Sequence, residues 1–320
     1  MNYLAQRLLT FPLILLGVSV LVFVSIRMIP GSQITAMLGT EAGMLTAAQR
    51  EALAAYFGID QPVWTQYFRW LAGLFQGDLG VSTIYARPVL NVILERFPLT
   101  LQLALMSMTI ALCIGLPLGV FAATRNERPS DLIVRILAML GQSTPNFVIG
   151  ILLIYFLSVF FGIVPAMGTF TPLTVDPLAS FGQLFWPAVT LGFAFAASVT
   201  RISRSAMLDV LSDDYIRTAR SKGASSMSVI WRHALPNALI PVVTLSGVEF
   251  GYLLGGAVIV EQIFALPGLG RLVLDAITQR DYALVQGTVL FIAFNFLIVN
   301  LLVDLAYAAL DPRIRIGGRK

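Results

Sequence analysis

Residue types that carry out chemistry are scarce in this chain of 320 residues. His233 is the only histidine and Cys113 the only cysteine, which excludes a multi-histidine metal site and a disulfide within one chain. A phosphate-binding loop requires Gly-Lys followed by Ser or Thr, and neither of the two lysines, Lys222 and Lys320, has that setting. The sequence therefore predicts no catalytic residue, no metal site and no cofactor site. If ATP drives this protein, another subunit must hydrolyse it.

Two carboxylates inside apolar runs, Glu249 and Asp304, are the residues that remain for chemistry. Ionisable residues within membrane spans are functional candidates by default. A secondary transporter driven by a proton or ion gradient would use both, but we find no inverted repeat of matched broken segments. Two interpretations of Glu249 stay open. It lines a solute pathway and favours a cationic group, or it is a protonated or hydrogen-bonded carboxyl at a helix contact.

Apolar residues dominate the composition, which places the chain in a lipid bilayer. Hydrophobic residues make up 57% and charged residues 12%, whereas a soluble domain carries about twice that share of charge. The net charge of +4 then reports membrane orientation and not nucleic-acid binding. We predict an all-α membrane protein with six transmembrane helices, over residues 8–26, 98–124, 136–161, 183–200, 239–262 and 283–310.

Polar residues interrupt the third predicted span. Residues 142–146 read Gln-Ser-Thr-Pro-Asn, and such residues at membrane depth normally face protein or a water-filled cavity. We therefore place the substrate pathway at this break and at polar residues of later spans. The predicted pathway residues are Gln142, Ser143, Asn146, Glu249 and Asn295.

Small residues mark two helix contacts. Gly115 and Gly119 are spaced for close approach of a neighbouring helix. Gly247 and the two glycines that follow it at four-residue intervals line one face of the fifth span. Glu249 lies about 200° round that helix from Gly247 at 3.6 residues per turn, so it points away from the glycines.

The segment between the first two spans, residues 30–97, is predicted to be a small extracytoplasmic helical segment. Thr46 and Gln49 form a capping box, Gly58 ends that helix, and Pro62 opens the next one. The second helix carries a stripe of Trp, Tyr and Phe to about Phe75, which we interpret as core or membrane-interface anchoring.

The distribution of basic residues predicts the orientation. Fourteen of the 21 Lys and Arg residues fall in the two termini, the link 125–135 and the segment 201–241. Because cytoplasmic loops carry the excess of Lys and Arg, both termini and residues 201–241 are predicted to be cytoplasmic.

Residues 201–241 form a polar segment between two apolar runs and hold six basic residues. Ser212 or Asp213 is predicted to cap a short helix, and Gly223 to end it, because glycine adopts positive φ at little cost. A second short helix over about 226–234 is predicted to run to Pro236.

The spacing in this segment resembles the cytoplasmic loop of permease subunits of binding-protein-dependent ABC importers. That loop is written Glu-Ala-Ala, three residues, Gly, nine residues, Ile, any residue, Leu-Pro. The matching positions here are Arg217, Thr218, Ala219, Gly223, His233, Leu235 and Pro236. Arg217 in place of Glu and His233 in place of Ile are similar to the variant of the dipeptide, oligopeptide and nickel branch. Further motifs of that branch are Pro30-Gly31, residues 58–62, residues 77–80, residues 267–270 and residues 310–313.

The resemblance implies a type I ABC importer permease fold. It divides the chain into residues 1–97, the first helix with the extracytoplasmic segment, and residues 98–320, a five-helix permease domain with the coupling loop 201–241. It implies a second homologous permease, two ATP-binding subunits that hold ATP and Mg, and an extracytoplasmic binding protein. It also implies transport of peptides, nickel chelates, glutathione or opines.

The resemblance further assigns coupling to the ATPase to one set of residues in the loop. For His233 a purely structural role, as a histidine whose hydrogen bonds are made within the fold, stays equally open. The set comprises Tyr215, Arg217, Thr218, Ala219, Gly223, His233, Leu235 and Pro236.

Overall fold

The computed structural model describes residues 3–28, 43–57, 60–165, 168 and 170–310. Within those ranges the extended elements form a single isolated bridge, Val81 to Pro88, and the rest of the regular structure is helical. The predicted all-α class is therefore confirmed. The helices are α1 (Tyr3–Arg27), α2 (Ala47–Phe57), α3 (Val63–Phe75), α4 (Val89–Thr124), α5 (Pro129–Ser143), α6 (Asn146–Phe161), α7 (Pro177–Leu211), α8 (Asp214–Ser221), α9 (Ser226–Ser228), α10 (Leu235–Gly256), α11 (Val258–Ile263), α12 (Leu269–Thr278) and α13 (Tyr282–Leu310).

Some sequence motifs lie outside the described residues. These are Pro30-Gly31, Gly58-Ile59 with the predicted helix end at Gly58, and the motif and basic residues of the C-terminal tail from residue 311 onward.

Five helical segments in the described part of the chain are long and apolar enough to cross a membrane. They are Thr10–Arg27, Val89–Thr124, Pro177–Leu211, Ser226–Gly255 and Tyr282–Leu305. Helices α5 and α6, which are bent by 101° at a short break, make a sixth span when the pair is counted as one. The interruption predicted in the third span is thus present.

Pro145 explains why the third span breaks where it does. Thr144 precedes it and has extended backbone angles, φ −88 and ψ 121, because a residue before proline is driven out of the helical region. Pro145 itself is extended and stands at the N-cap of α6, where its missing N–H is not needed. The backbone therefore leaves α5 and starts a new helix in another direction.

The helix that follows the basic loop differs from the prediction. The short helix over about 226–234 does not end at Pro236: α9 continues through a π-helical turn, Val229–Ala234, directly into α10. Pro236 is the second residue of α10 and follows the π-helical turn directly. The prediction of a helix closed by this proline is wrong.

The fifth predicted span needs a further correction, whereas α13 matches the sixth. The predicted span 239–262 is interrupted at Ala257, whose ψ of 0 ends α10 after two poor helix formers, Gly255 and Gly256. The predicted polar link 263–282 contains a helix, α12.

The chain divides into two compact units, which are residues 1–100 with 267–297, and residues 101–266 with 298–320. In the first unit the loop before α4 is fixed to the start of α13. Asp281 is fully buried; its Oδ1 accepts from the Leu284 N–H at 3.0 Å and its Oδ2 from the Ser82 hydroxyl at 2.6 Å. Gly77 and Gly80 turn this loop at φ 78 and 88, which explains the glycines of that motif.

The predicted capping box is also present in the first unit. The Gln49 N–H donates to the Thr46 hydroxyl at 3.3 Å, and the Thr46 N–H donates to the Gln49 side chain at 2.9 Å. The aromatic stripe packs partly on α1, where Tyr67 stacks edge-on against Phe23 and its hydroxyl lies 2.9 Å from that of Ser19. The predicted division at residue 97 stays a prediction.

In the second unit the glycines of α4 allow close approach to α7. A Cβ added at Gly115 would lie 2.6 Å from the Ala196 carbonyl oxygen, and one at Gly119 would lie 2.7 Å from that of Thr200. The predicted contact is confirmed. On α10, a Cβ at Gly247 would collide with Val303.

Candidate functional site

A polar cavity of about 400 Å³, which we call the break cavity, adjoins the junction of α5 and α6. Residues of the junction, α7 and α10 line it. The side chains of its lining that carry polar groups are Gln142, Thr144, Asn146, Ser198, Arg201, Glu249 and Tyr252. Glycines at the helix contacts let the backbones pack closely, and Glu249 turns away from Gly247 toward this space.

The structure brings together three of the five predicted pathway residues. Gln142, Asn146 and Glu249 line the break cavity. Ser143 lines a second cavity. Asn295 lies on α13 in the first unit, where its amide donates to the Phe291 carbonyl at 2.8 Å.

Two opposite charges in the break cavity, Glu249 and Arg201, have no partner among the residues that the structure describes. Neither Glu249 nor Arg201 makes a hydrogen bond or ion pair with any residue that the structure describes, and no Arg201 nitrogen lies within 4.0 Å of the Glu249 carboxylate. Glu249 is half-buried, whereas Arg201 is exposed. By contrast, Gln142 donates to the Ser198 hydroxyl at 3.1 Å.

The second cavity, of about 490 Å³, shares Gln142 and Arg201 with the first. Arg135 and Arg204 also line it. The Arg204 guanidinium is already held by Asp131, with Nε donating to Oδ1 at 2.6 Å and Nη2 to Oδ2 at 2.7 Å. No three His, Cys, Asp or Glu side chains in the described ranges are placed to hold a metal ion.

The basic loop is anchored by one apolar side chain. Ile216 of α8 is 0% exposed and packs in a cluster with Met207, Val229 and Ala234. Arg217 and Thr218, the next two residues of α8, are exposed. A helix as short as α8 does not persist alone in water, so this burial fixes it against the rest of the second unit.

A hydrogen-bonded link joins α8 to α10. The Asn237 amide donates to the Tyr215 hydroxyl at 2.8 Å and to the His233 carbonyl at 3.3 Å. The Tyr215 hydroxyl also lies 3.4 Å from that carbonyl oxygen. The two helical parts of the loop are thus held in one arrangement.

The ends of α8 follow the prediction in part. Gly223 has φ 80, as expected of a glycine that ends a helix. Asp213 stands at the N-cap, but its side chain accepts no capping hydrogen bond from the described residues. Ser212 does not cap either, because its hydroxyl donates to the Asp209 carbonyl at the end of α7, at 2.7 Å.

The predicted coupling residues differ in exposure. Tyr215, Arg217, Thr218, Gly223 and Pro236 are exposed. Ala219 and His233 are half-buried, and Leu235 is buried in the Ile216 cluster.

The exposed side of the loop also carries apolar residues that the sequence analysis did not single out. Met227 is 66% and Trp231 55% exposed. They accompany four exposed basic residues, Arg217, Arg220, Lys222 and Arg232. Aromatic, Met and Arg side chains are the residue types enriched at protein–protein interfaces.

Comparison with known proteins identifies the family. The family model described as "Binding-protein-dependent transport system inner membrane component" matches residues 115–316, and the model of its N-terminal part matches residues 1–104. The chain belongs to this family. It is therefore a multi-pass inner-membrane permease subunit of an ABC importer, whose ATPase is a separate subunit.

Curated relatives of this binding-protein-dependent permease match over nearly the full length. It is 41% identical over 315 residues to the glutathione transport system permease protein GsiC of Escherichia coli K12, covering 98% of this chain and 99% of that protein. The GsiC protein of Salmonella paratyphi A is 41% identical over 316 residues, with the same coverage.

Solved structures support the permease fold. The inward-facing MetNI methionine ABC transporter aligns with a TM-score of 0.56 at 19% identity, over 69% of this chain and 96% of that one. An amino acid ABC transporter crystallised with histidines aligns with a TM-score of 0.50 at 20% identity, over 70% and 94%.

Sequence reasoning missed two residues of the permease that the structure makes prominent. Arg201 reads as an orientation signal at the end of an apolar run, so its place in the break cavity was not predicted. Asn237 reads as an ordinary polar residue after Pro236. Its link to Tyr215 depends on the π-helical turn, for which we know no sequence signal.

Proposed function

We propose that this permease imports peptides or similar small solutes, glutathione among them, through a pathway that includes the break cavity. The relatives that match over nearly the full length are named glutathione permeases, which supports this solute class. The observation that carries the proposal is the continuous helical segment from α9 to α10. It places the exposed Trp231 and the cavity residue Glu249 on one element.

The proposed assembly contains this chain, a second homologous permease, two ATP-binding subunits and an extracytoplasmic binding protein. ATP and Mg belong to the ATP-binding subunits. The second permease completes the pathway, and the binding protein delivers the solute.

The basic loop is the proposed contact with an ATP-binding subunit. Tyr215, Met227 and Trp231 offer apolar anchors, and Arg217 and Arg220 surround them with positive charge. Clustered aromatic and Arg side chains carry much of the binding energy at such contacts. Leu235, being buried, positions the loop without touching the partner.

The proposed orientation places this loop and both termini in the cytoplasm. The support is the excess of Lys and Arg on that side of the predicted spans. It puts the loop in the compartment that supplies ATP.

A structural link between loop and cavity supports coupled movement. Closure of the ATP-binding subunits would displace α8, and the Tyr215–Asn237 link would pass that displacement to α10. Coupling requires an element with two arrangements whose equilibrium is shifted both by the ATP-binding subunits and by the solute site.

The rival is a secondary transporter that uses Glu249 and Asp304. Glu249 lines a cavity, as that rival needs. The structured, basic, partly apolar loop has no role in such a transporter.

Reconstituted transport separates the two. The assembly is purified through a tag on this chain and placed in proteoliposomes with the binding protein. We expect the ATP-binding subunits to co-purify and glutathione uptake to require ATP and to persist with a proton ionophore. Uptake without ATP that collapses with the ionophore would overturn the proposal.

A further inference from the structure

We infer that the break cavity binds a zwitterionic solute, with Glu249 contacting its ammonium group and Arg201 its carboxylate. This inference rests on the proposed function and names the class of solute that the pathway selects. The two side chains line one cavity of about 400 Å³ and are the charged residues of its lining.

The Glu249 carboxylate lacks a counter-charge among the described residues. Glu249 is half-buried in the span α10 with no partner in the described part of the chain. A carboxylate removed from water without a counter-charge is costly. A cationic group of a bound solute offsets that cost.

Other charged groups of the second unit differ from this pair. Arg204 donates to both carboxylate oxygens of Asp131 and, at 2.9 Å, to the Asn126 side chain. Its neighbour one helical turn earlier, Arg201, has no such acceptor among the residues described. The guanidinium of Arg201 therefore keeps its full set of donors for a carboxylate.

The charged groups of Arg201 and Glu249 are too far apart to form an ion pair with each other. Arg201 and Glu249 border the same space but do not pair within 4.0 Å. An ammonium and a carboxylate on one molecule can occupy both at once. A cavity of this volume falls in the range of about 300–1,000 Å³ that holds small ligands.

The remaining polar residues fit a peptide-like solute. Asn146 has an amide that can both donate and accept, and Gln142, which donates to Ser198, keeps its carbonyl oxygen as an acceptor. The backbone amides of a short peptide need such partners. A solute with a single charge would leave the other protein charge unpaired, which produces selectivity.

The test is equilibrium binding to the complete transmembrane and ATPase assembly in nanodiscs, without the binding protein. The probes are reduced glutathione, N-acetylglutathione, which lacks the ammonium, and glutathione diethyl ester, which lacks both carboxylates. Omitting the binding protein removes its own preference from the result.

We expect the two variants to weaken binding of different probes. Arg201→Gln should weaken binding of glutathione and N-acetylglutathione by about tenfold or more, because a hydrogen bond to a charged group is lost. It should leave the diethyl ester within about twofold, since that probe makes no such bond. Glu249→Gln should weaken glutathione and the diethyl ester and spare N-acetylglutathione.

Two further variants control for folding and for net charge. Arg201→Lys keeps the charge and should retain most of the binding of glutathione. Arg125→Gln removes the same charge outside the cavity, where Arg125 lies over the Phe121 ring, and should leave all three probes unchanged.

The outcomes separate the inference from the proposed function. Equal losses for all three probes, or no probe binding to the wild-type assembly while it still imports glutathione, would overturn the inference alone. Absence of ATP-driven import of glutathione by the wild-type assembly would overturn the proposed function and the inference with it.

Discussion

Arg204 donates two hydrogen bonds to Asp131, from Nε to Oδ1 at 2.6 Å and from Nη2 to Oδ2 at 2.7 Å. Asp131 is 1% exposed and also accepts from the Glu127 N–H at 3.2 Å. The pair joins the first turn of α5 to α7 across 73 residues of sequence. It fixes the half-span that leads to the break, and therefore one wall of the break cavity.

Asp131→Asn should destabilise the protein by about 3–5 kcal/mol, because it leaves a partly buried guanidinium without its counter-charge. The measurement is the free energy of unfolding in detergent micelles. Asp214→Asn is the matched control and should change stability by less than about 1 kcal/mol, since the Asp214–Arg217 ion pair, at 3.2 Å, is exposed to solvent. Equal effects of the two variants would contradict the role assigned to the buried pair.

Gly223→Ala should impair the basic loop through its backbone alone. A Cβ at Gly223 meets nothing within 4 Å, but its φ of 80 costs a residue such as Ala about 1–2 kcal/mol. Gly223→Asn should be milder, because Asn tolerates this conformation. We expect solute-stimulated ATP hydrolysis to fall in the order Gly, Asn, Ala, and docking of the ATPase to fail in Gly223→Pro. An Ala variant as active as the wild type would show that the turn is not needed.

Ile216→Ala should release α8 from the second unit. Ile216 is the buried side chain of that helix, and truncating a buried Ile costs about 2–5 kcal/mol. Trypsin should then cleave the isolated subunit faster after Arg217, Arg220 and Lys222. Thr218→Ala removes an exposed side chain of the same helix and should leave the cleavage rate unchanged. An unchanged cleavage rate in the Ile216 variant would contradict the claim that burial of Ile216 holds α8 in place.

Gly119→Ala should push α4 away from α7, because the new Cβ would lie 2.7 Å from a backbone oxygen of Thr200. We expect a lower yield of folded protein and a lower free energy of unfolding. Gly182→Ala, on α7 with nothing within 4 Å, should be neutral or stabilising by up to about 1 kcal/mol. A Gly119 variant at least as stable as the wild type would argue against close contact here.

Local features of this permease could be predicted because local chemistry decides them. Apolar run length locates the spans, Pro145 fixes the break in the third one, and Thr46 with Gln49 pairs within one turn. Gly223 ends α8 because positive φ favours glycine.

Features that depend on tertiary packing could not be predicted. The pairing of Asp131 with Arg204, and the presence of Arg201 and Glu249 in one cavity, depend on how α5, α7 and α10 rotate against each other. Pro236 was predicted to end the short helix, because proline usually interrupts helices. The sequence does not reveal the π-helical turn through which the helix continues past Pro236. Asn295 was placed in the pathway by residue type alone, and its role stays a prediction; its amide donates to the Phe291 carbonyl of its own helix.

The helical path that runs without a loop from α9 through the π-helical turn into α10 makes Trp231 and Glu249 two points on one lever arm. Eighteen residues of helix separate them, or about 27 Å at 1.5 Å per residue. No coil lies between them, and Pro236 and Pro241 are the positions of this stretch that lack a helical N–H. A tilt of only a few degrees imposed at the Trp231 end therefore shifts Glu249 by an ångström or more. Such a shift is large enough to make or break a hydrogen bond to a bound solute.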